Sequence, residues 1–175
     1  MNKTVLRSPL KLALAGVFAA LVCVATLTLV VSIPATTGYF NLGETVIYTA
    51  ALLFGALVGG IAGGAGAAVA DMLGFPQFAL GTLIIKGVEG AIVGLLNRKI
   101  RERTGNFILS AGLSVVIGGL EMVAGYFIYE QLVLGYPLAV VLVEVLPNIL
   151  QMLVGLAVAL PIMHAVLRVF PQLKS

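Results

Sequence analysis

Residues 79–103 read ALGTLIIKGVEGAIVGLLNRKIRER. From Ala79 the stretch is apolar for about one bilayer thickness. It is interrupted by Lys86 and Glu89 and ends in Arg98, Lys99, Arg101 and Arg103. Loops rich in Lys and Arg stay on the cytoplasmic side, so the basic terminus reads as an inner boundary. A charge at the centre of an isolated membrane helix costs at least about 2.5 kcal/mol, so Lys86 and Glu89 must find partners. An apolar span, an internal charge pair and a basic end together predict a membrane protein, its orientation and its functional site.

Composition agrees. The chain has 175 residues, 61% hydrophobic and 10% charged, with mean hydropathy +1.15, whereas a soluble domain carries about 25% charged residues. Twenty-one glycines and no tryptophan suit closely packed helices. The net charge of +3 does not point to nucleic acid, because the basic residues gather at helix ends instead of forming a phosphate-tracking stripe. Cys23 is alone, so no intramolecular disulfide forms. Lys3, Arg7 and Lys11 before an apolar run imitate a secretory signal. The run continues to about Ile33, long enough to span, and Val22 stands where a lipoprotein signal wants a small residue. We read a retained first helix.

The expected fold is an all-α integral membrane protein, one six-helix domain over residues 1–175 with both termini cytoplasmic. The spans fall near 10–33, 42–58, 59–74, 79–98, 106–130 and 137–168, with the divide between the second and third near Gly59 and Gly60. A five-span alternative treats 45–70 as one helix. Charge favours six. Lys3, Arg7, Lys11, Arg98, Lys99, Arg101, Arg103, Arg168 and Lys174, nine of ten basic residues, then lie inside. The outer loops, about 33–44, 71–79 and 130–138, hold none and carry turn formers and aromatics: Pro34, Gly38 and Tyr39; Gly74, Phe75 and Pro76; Gly135, Tyr136 and Pro137.

Polar residues inside the spans align by depth. Counted at about 1.5 Å per residue, Lys86 lies roughly 10 Å below the outer end of the fourth helix and Glu89 one turn deeper. Glu121 on the fifth helix lies roughly 13 Å deep. Glu144 enters at a similar level on the sixth, with Asn148 and Gln151 following on its face. Lys86 thus has three carboxylates at its depth. Such groups line a polar binding pocket, or, alternatively, Lys86 pairs with one glutamate and ties helices together. Glu44 either caps its helix or faces the pocket. Asp71 and Glu130 read as solvated helix ends.

Small residues recur at four-residue spacing. Ala15 and Ala19, with Gly16 and Ala20 beside them, give the first helix a flat face, and Gly59/Gly63 and Gly60/Gly64 repeat this in the third. Such faces let helices approach closely. Catalytic patterns are missing: there is no GxSxG, no HExxH, no Cys/His cluster and no Walker GxxxxGK[ST]. His164, the only histidine, reads as interfacial. We expect no enzyme activity, no cofactor and no metal, and any nucleotide energy must enter through another subunit.

With AxxxA at Ala15/Ala19, the chain resembles the S components of energy-coupling factor (ECF) vitamin transporters. The stretches GYFNLGETVIYTAALLFGALVGGIAGGAGAAVADML (Gly38–Leu73) and GTLIIKGVEGAIVGLLNRKI (Gly81–Ile100) resemble the group named for riboflavin uptake. That group includes proteins similar to carriers of hydroxymethylpyrimidine or pyridoxine. The resemblance implies a prokaryotic plasma-membrane subunit that captures a vitamin from outside. It would dock on a membrane scaffold (T) subunit driven by two cytoplasmic ATPases, and topple to release the vitamin inside. It further implies that Ala15 and Ala19 contact the scaffold and that Tyr39, Phe40 and Asn41 form a lid. Lys86, Glu89, Glu121, Glu144, Asn148 and Gln151, with Glu44 beside them, would then line the pocket.

One cation among carboxylates, amides and tyrosines suits a small polar heterocycle that is neutral or cationic. Hydroxymethylpyrimidine or a vitamin B6-type ring stands first, riboflavin second. The main alternative is an autonomous secondary transporter using buried carboxylates for proton coupling. A lipid or prenyl enzyme is disfavoured because the chain has a single aspartate. A purely structural subunit would lose stability, not uptake, on Lys86→Ala.

Overall fold

The computed structural model describes residues 8–33, 36 and 38–171. Lys3, Arg7, Lys174 and Pro34, which entered the topology and loop readings, lie outside these. Six helices follow in order: α1 (Ser8–Thr28), α2 (Gly43–Phe54), α3 (Ala56–Gly74), α4 (Ala79–Thr104), α5 (Phe107–Leu132) and α6 (Leu138–Val169). Between α1 and α2 a small antiparallel hairpin pairs β1 (Val31–Ser32) with β2 (Tyr39–Phe40), Val31 opposite Phe40 and Ser32 opposite Tyr39. All helices but α2 are long and apolar enough to cross a membrane. The 12 residues of α2 reach only about 18 Å, short of the roughly 30 Å hydrocarbon core.

Three boundaries differ from expectation. Helix α1 stops at Thr28 rather than near residue 33, because Val31 and Ser32 pair with the returning strand. Helix α4 runs on to Thr104 instead of ending near residue 98. Gly105 caps it at φ 64° and Asn106 at once caps α5 by accepting from the Leu109 N–H at 2.9 Å. The divide between α2 and α3 falls at Gly55, not at Gly59/Gly60. Gly55 has φ 87°, a region a side chain disfavours, and this breaks the helix.

The glycines from 59 onward remain helical and serve packing. Helices α3 and α4 form the most extensive pair in the molecule. A Cβ on Gly60 would stand 3.1 Å from the Gly87 carbonyl and 3.3 Å from Ala91 Cβ, and one on Gly64 would collide with the Leu83 carbonyl. Gly59 and Gly90 face each other across the same seam. Close backbone approach substitutes dispersion contact for the hydrophobic drive that lipid cannot supply.

Polarity is distributed as lipid requires. On α4 the side chains of Leu83, Ile84 and Val88 are exposed while Lys86, Glu89 and Asn97 are buried. Exposed leucines and valines likewise cover α1, α5 and α6. The described basic residues other than Lys86 gather at one end. Gly94 of α4 lies against Gly55 and Ala56, so the α2–α3 turn sits at the basic end of α4. Arg168, near the end of α6, shares a groove with Thr104, Gly105 and Asn106. Lys11 opens α1, whose other end leads into the hairpin.

Candidate functional site

The hairpin end holds two polar clusters and a cavity. The deeper cluster centres on Lys86. Its ammonium pairs with Glu44, in the first turn of α2, and with Glu89, one turn along α4, at 3.3 Å. Tyr48 donates to Glu89 Oε1 at 2.7 Å and Gln151 Nε2 donates to Glu44 Oε1 at 2.9 Å. Gln151 Oε1 accepts from the Asn41 backbone N–H at 2.8 Å and from Asn41 Nδ2 at 3.1 Å. Asn41 Oδ1 in turn accepts from the Gly43 N–H at 2.8 Å. One hydrogen-bonded chain therefore runs from the loop before α2, through α6, to the centre of α4. Its members are buried, where a fully connected network is rigid and a broken one costly.

The second cluster joins the hairpin to α3, α4 and α5. Asp71 accepts from the Tyr39 and Thr82 hydroxyls. The Thr82 proton is committed to Asp71, so Tyr126, 2.8 Å from Thr82 Oγ1, is the donor of that pair. The Tyr39 ring stacks on Phe75 with centroids 4.0 Å apart and planes 13° from parallel. Burial, followed by the charge of Asp71, pushes the Tyr39 phenol far above its ordinary range, so it stays a donor. On the other side Glu144 Oε1 accepts from the Thr36 hydroxyl and, at 3.1 Å, from the Gly38 N–H. A Cβ on Gly38 would run into that carboxylate. The hairpin is thus tied to α3 through Tyr39 and to α6 through Glu144.

Beneath these ties lies a cavity of about 40 Å³. The hairpin segment contributes Gly38, Tyr39 and Asn41; α3 contributes Asp71 and the residue before α4 Phe78. Tyr126 and Glu130 come from α5, and Glu144, Asn148 and Gln151 from α6.

Of the residues singled out in the sequence, Tyr39, Asn41, Glu144, Asn148 and Gln151 reach the cavity wall. Phe40 is half-buried in the hairpin and does not. Glu44, Lys86 and Glu89 form the cluster beside it, joined to the wall through Gln151. Of the three carboxylates counted at its depth Lys86 pairs with Glu89, and it pairs also with Glu44; Glu144 is taken by the loop ties. Glu121 is half-buried off the cavity wall, and its Oε2 has no hydrogen-bond partner among the described residues. Asp71 and Glu130, read as solvated ends, are 2% and 3% exposed and line the cavity. Helices α3 and α5 continue past both, to Gly74 and Leu132, and Tyr39 of the hairpin covers Asp71. Tyr126 and Phe78 went unnoticed; the i, i+4 spacing of Tyr126 and Glu130 on one helical face was the available signal.

Ala15 and Ala19, the expected scaffold contacts, are not the exposed small residues of α1. Ala15 is 1% exposed, and Ala19 is the residue against which Gly66 of α3 packs. That face is occupied within the chain. The small residues that α1 leaves exposed are Ala13, Gly16 and Ala20.

Fold and site define a multi-pass helical membrane protein with a polar cavity capped at one end. The ECF-type riboflavin transporter S component family matches residues 7–168, and the chain belongs to that family. A Lactococcus lactis subsp. cremoris protein named thiamine precursor transporter HmpT is 35% identical over 151 residues, covering 85% of this chain and 82% of its own. A Pyrococcus woesei protein, described as an uncharacterized protein in gap 3'region, is 48% identical over 105 residues, 60% of this chain and 68% of its own.

Proposed function

We propose that this chain is the substrate-binding subunit of an ECF-type importer, a single domain of six membrane spans, the second of them the short α2, with both termini in the cytoplasm. It captures a small water-soluble vitamin or precursor from outside. It delivers that vitamin inward by toppling against a scaffold subunit energised by two separate ATPases. The observation that carries this is the convergence of polar groups under the hairpin, since a cavity of about 40 Å³ must widen to admit a vitamin. Polar groups from α3, α5 and α6 converge beneath a hairpin pinned by Tyr39–Asp71 and Thr36–Glu144 contacts. The described basic residues other than Lys86 lie at the opposite end, as the positive-inside rule asks of a cavity facing outward. An aminopyrimidine such as hydroxymethylpyrimidine, or a vitamin B6-type ring, is the first choice of substrate and riboflavin the second. The relative named for thiamine precursor transport supports that order. A scaffold helix would approach α1 over the exposed Gly16/Ala20 face, where a Cβ on Gly16 meets nothing within 4 Å.

Mass spectrometry of the denatured, purified protein tests the capture role: a vitamin-sized heterocycle should be released in near-stoichiometric amount. Uptake assays in cells with and without an ECF scaffold and its ATPases test the coupling. Uptake that persists without them and collapses on adding a proton uncoupler would replace this reading with proton-coupled secondary transport.

A further inference from the structure

Among the described residues the cavity wall carries three buried carboxylates, Asp71, Glu130 and Glu144, and no Lys, Arg or His. Their surroundings differ. Asp71 accepts two hydroxyl protons, and Glu144 holds the hairpin through Thr36 and Gly38. Glu130 is buried on the cavity wall, and its Oε2 has no hydrogen-bond partner among the described residues. Lys86 lies 5.4 Å from the Tyr126 ring centroid but is committed to Glu44 and Glu89. An acceptor held out of water with nothing to accept from is costly, and more so beside a second carboxylate.

We propose that Glu130 is the specificity-determining residue of the cavity. Its free carboxylate oxygen receives an amino or protonated ring-nitrogen donor of a small heteroaromatic ligand. The inference deepens the substrate-binding reading above and rests on it. The ligand supplies the positive or donor group that the wall lacks. An amino-substituted ring satisfies Glu130 on entry. A ring with a carbonyl at the same position sets acceptor against acceptor, and an anionic ligand is repelled by all three carboxylates. Selection of this kind is strong, because a site built around a donor leaves a buried polar group unpaired when that donor is missing. Asn148 and Gln151, on the α6 side of the cavity, can serve a ligand hydroxyl.

The test is calorimetric titration of the purified chain with 4-amino-5-hydroxymethyl-2-methylpyrimidine, its 4-oxo counterpart and riboflavin. Wild type, Glu130→Gln and the remote exposed-site control Glu102→Gln are compared. The wild type should prefer the amino ring over the oxo ring by at least about 100-fold. Glu130→Gln should lose about 10–100-fold in amino-ring affinity and narrow that preference, with Glu102→Gln unchanged. Thermal stability of Glu130→Gln checks folding. Should the variant not fold, the wild-type preference decides. Equal affinity for both rings, or an amino-ring affinity untouched in folded Glu130→Gln, overturns the role of Glu130 while leaving vitamin capture standing. No binding of any compound overturns both.

Discussion

Replacing Lys86 by methionine keeps the bulk of the side chain and removes its charge. Glu44 and Glu89 then lose their common cation, retaining only the hydrogen bonds from Gln151 and Tyr48 at 2.9 and 2.7 Å. Both carboxylates are 1% exposed or less, so water cannot replace what is lost. Removing one partner of a buried ion pair costs about 3–5 kcal/mol. For a chain of this length each kcal/mol moves the midpoint by about 2–4 °C, so Lys86→Met should melt about 6–20 °C below wild type. The same reasoning predicts that the triple variant Glu44→Gln, Lys86→Met, Glu89→Gln recovers most of the loss, since no uncompensated charge remains. Thermal unfolding in detergent, followed by tryptophan-independent circular dichroism, reads both. A Lys86→Met midpoint within about 2 °C of wild type, or a triple variant no better than the single, would refute the assignment of Lys86 as the cluster's essential cation.

Three further outcomes follow from the geometry. Gly38→Ala places a methyl against the Glu144 carboxylate and should loosen the hairpin. Ligand dissociation, followed by stopped flow, should accelerate about 10-fold or more, with the melting midpoint little changed. Gly64→Leu drives a side chain into the Leu83 carbonyl across the α3–α4 seam and should cost about 1–3 kcal/mol by overpacking, read as lost thermal stability. Tyr39→Phe keeps the stack on Phe75 but removes the donor to Asp71, costing about 1.5–3 kcal/mol at neutral pH. Because the folded phenol is raised above its unfolded value of 10.0, its contribution is complete below that value. It fades as pH rises past it, and Tyr39→Phe should lack that alkaline loss in a pH series of melts.

Much of this molecule was legible because lipid imposes simple rules. Apolar runs gave the helices, and the glycines at 59, 60, 63 and 64 announced a close helix seam. The charge run after Asn97 marked the end opposite the cavity. Depth counting brought Glu144, Asn148 and Gln151 to the site, since i, i+4 and i+7 positions share a face whatever the tertiary detail. It failed for Asp71 and Glu130 for a tertiary reason. Asp71 is buried under Tyr39 of the hairpin and Glu130 in the cavity wall, and two-residue strands leave no periodicity to read. Partner choice was equally hidden. Depth alone could not tell which of three glutamates would meet Lys86, nor that Glu44 would join them, because helix rotation and the first turn of α2 decide it. At Ala15 and Ala19 a flat small-residue face announced close packing but not whether its partner was internal or external.

The central claim is that the capped cavity captures a small vitamin-like ring. Its most direct measurement is the affinity of the purified chain for a vitamin panel, by calorimetry, before and after Glu144→Ala cuts the tie to Thr36 and Gly38. One small heterocycle should bind one-to-one at micromolar affinity or tighter, weakened at least about 10-fold by the substitution. Binding by none of them, or equal affinity with and without Glu144, would contradict it.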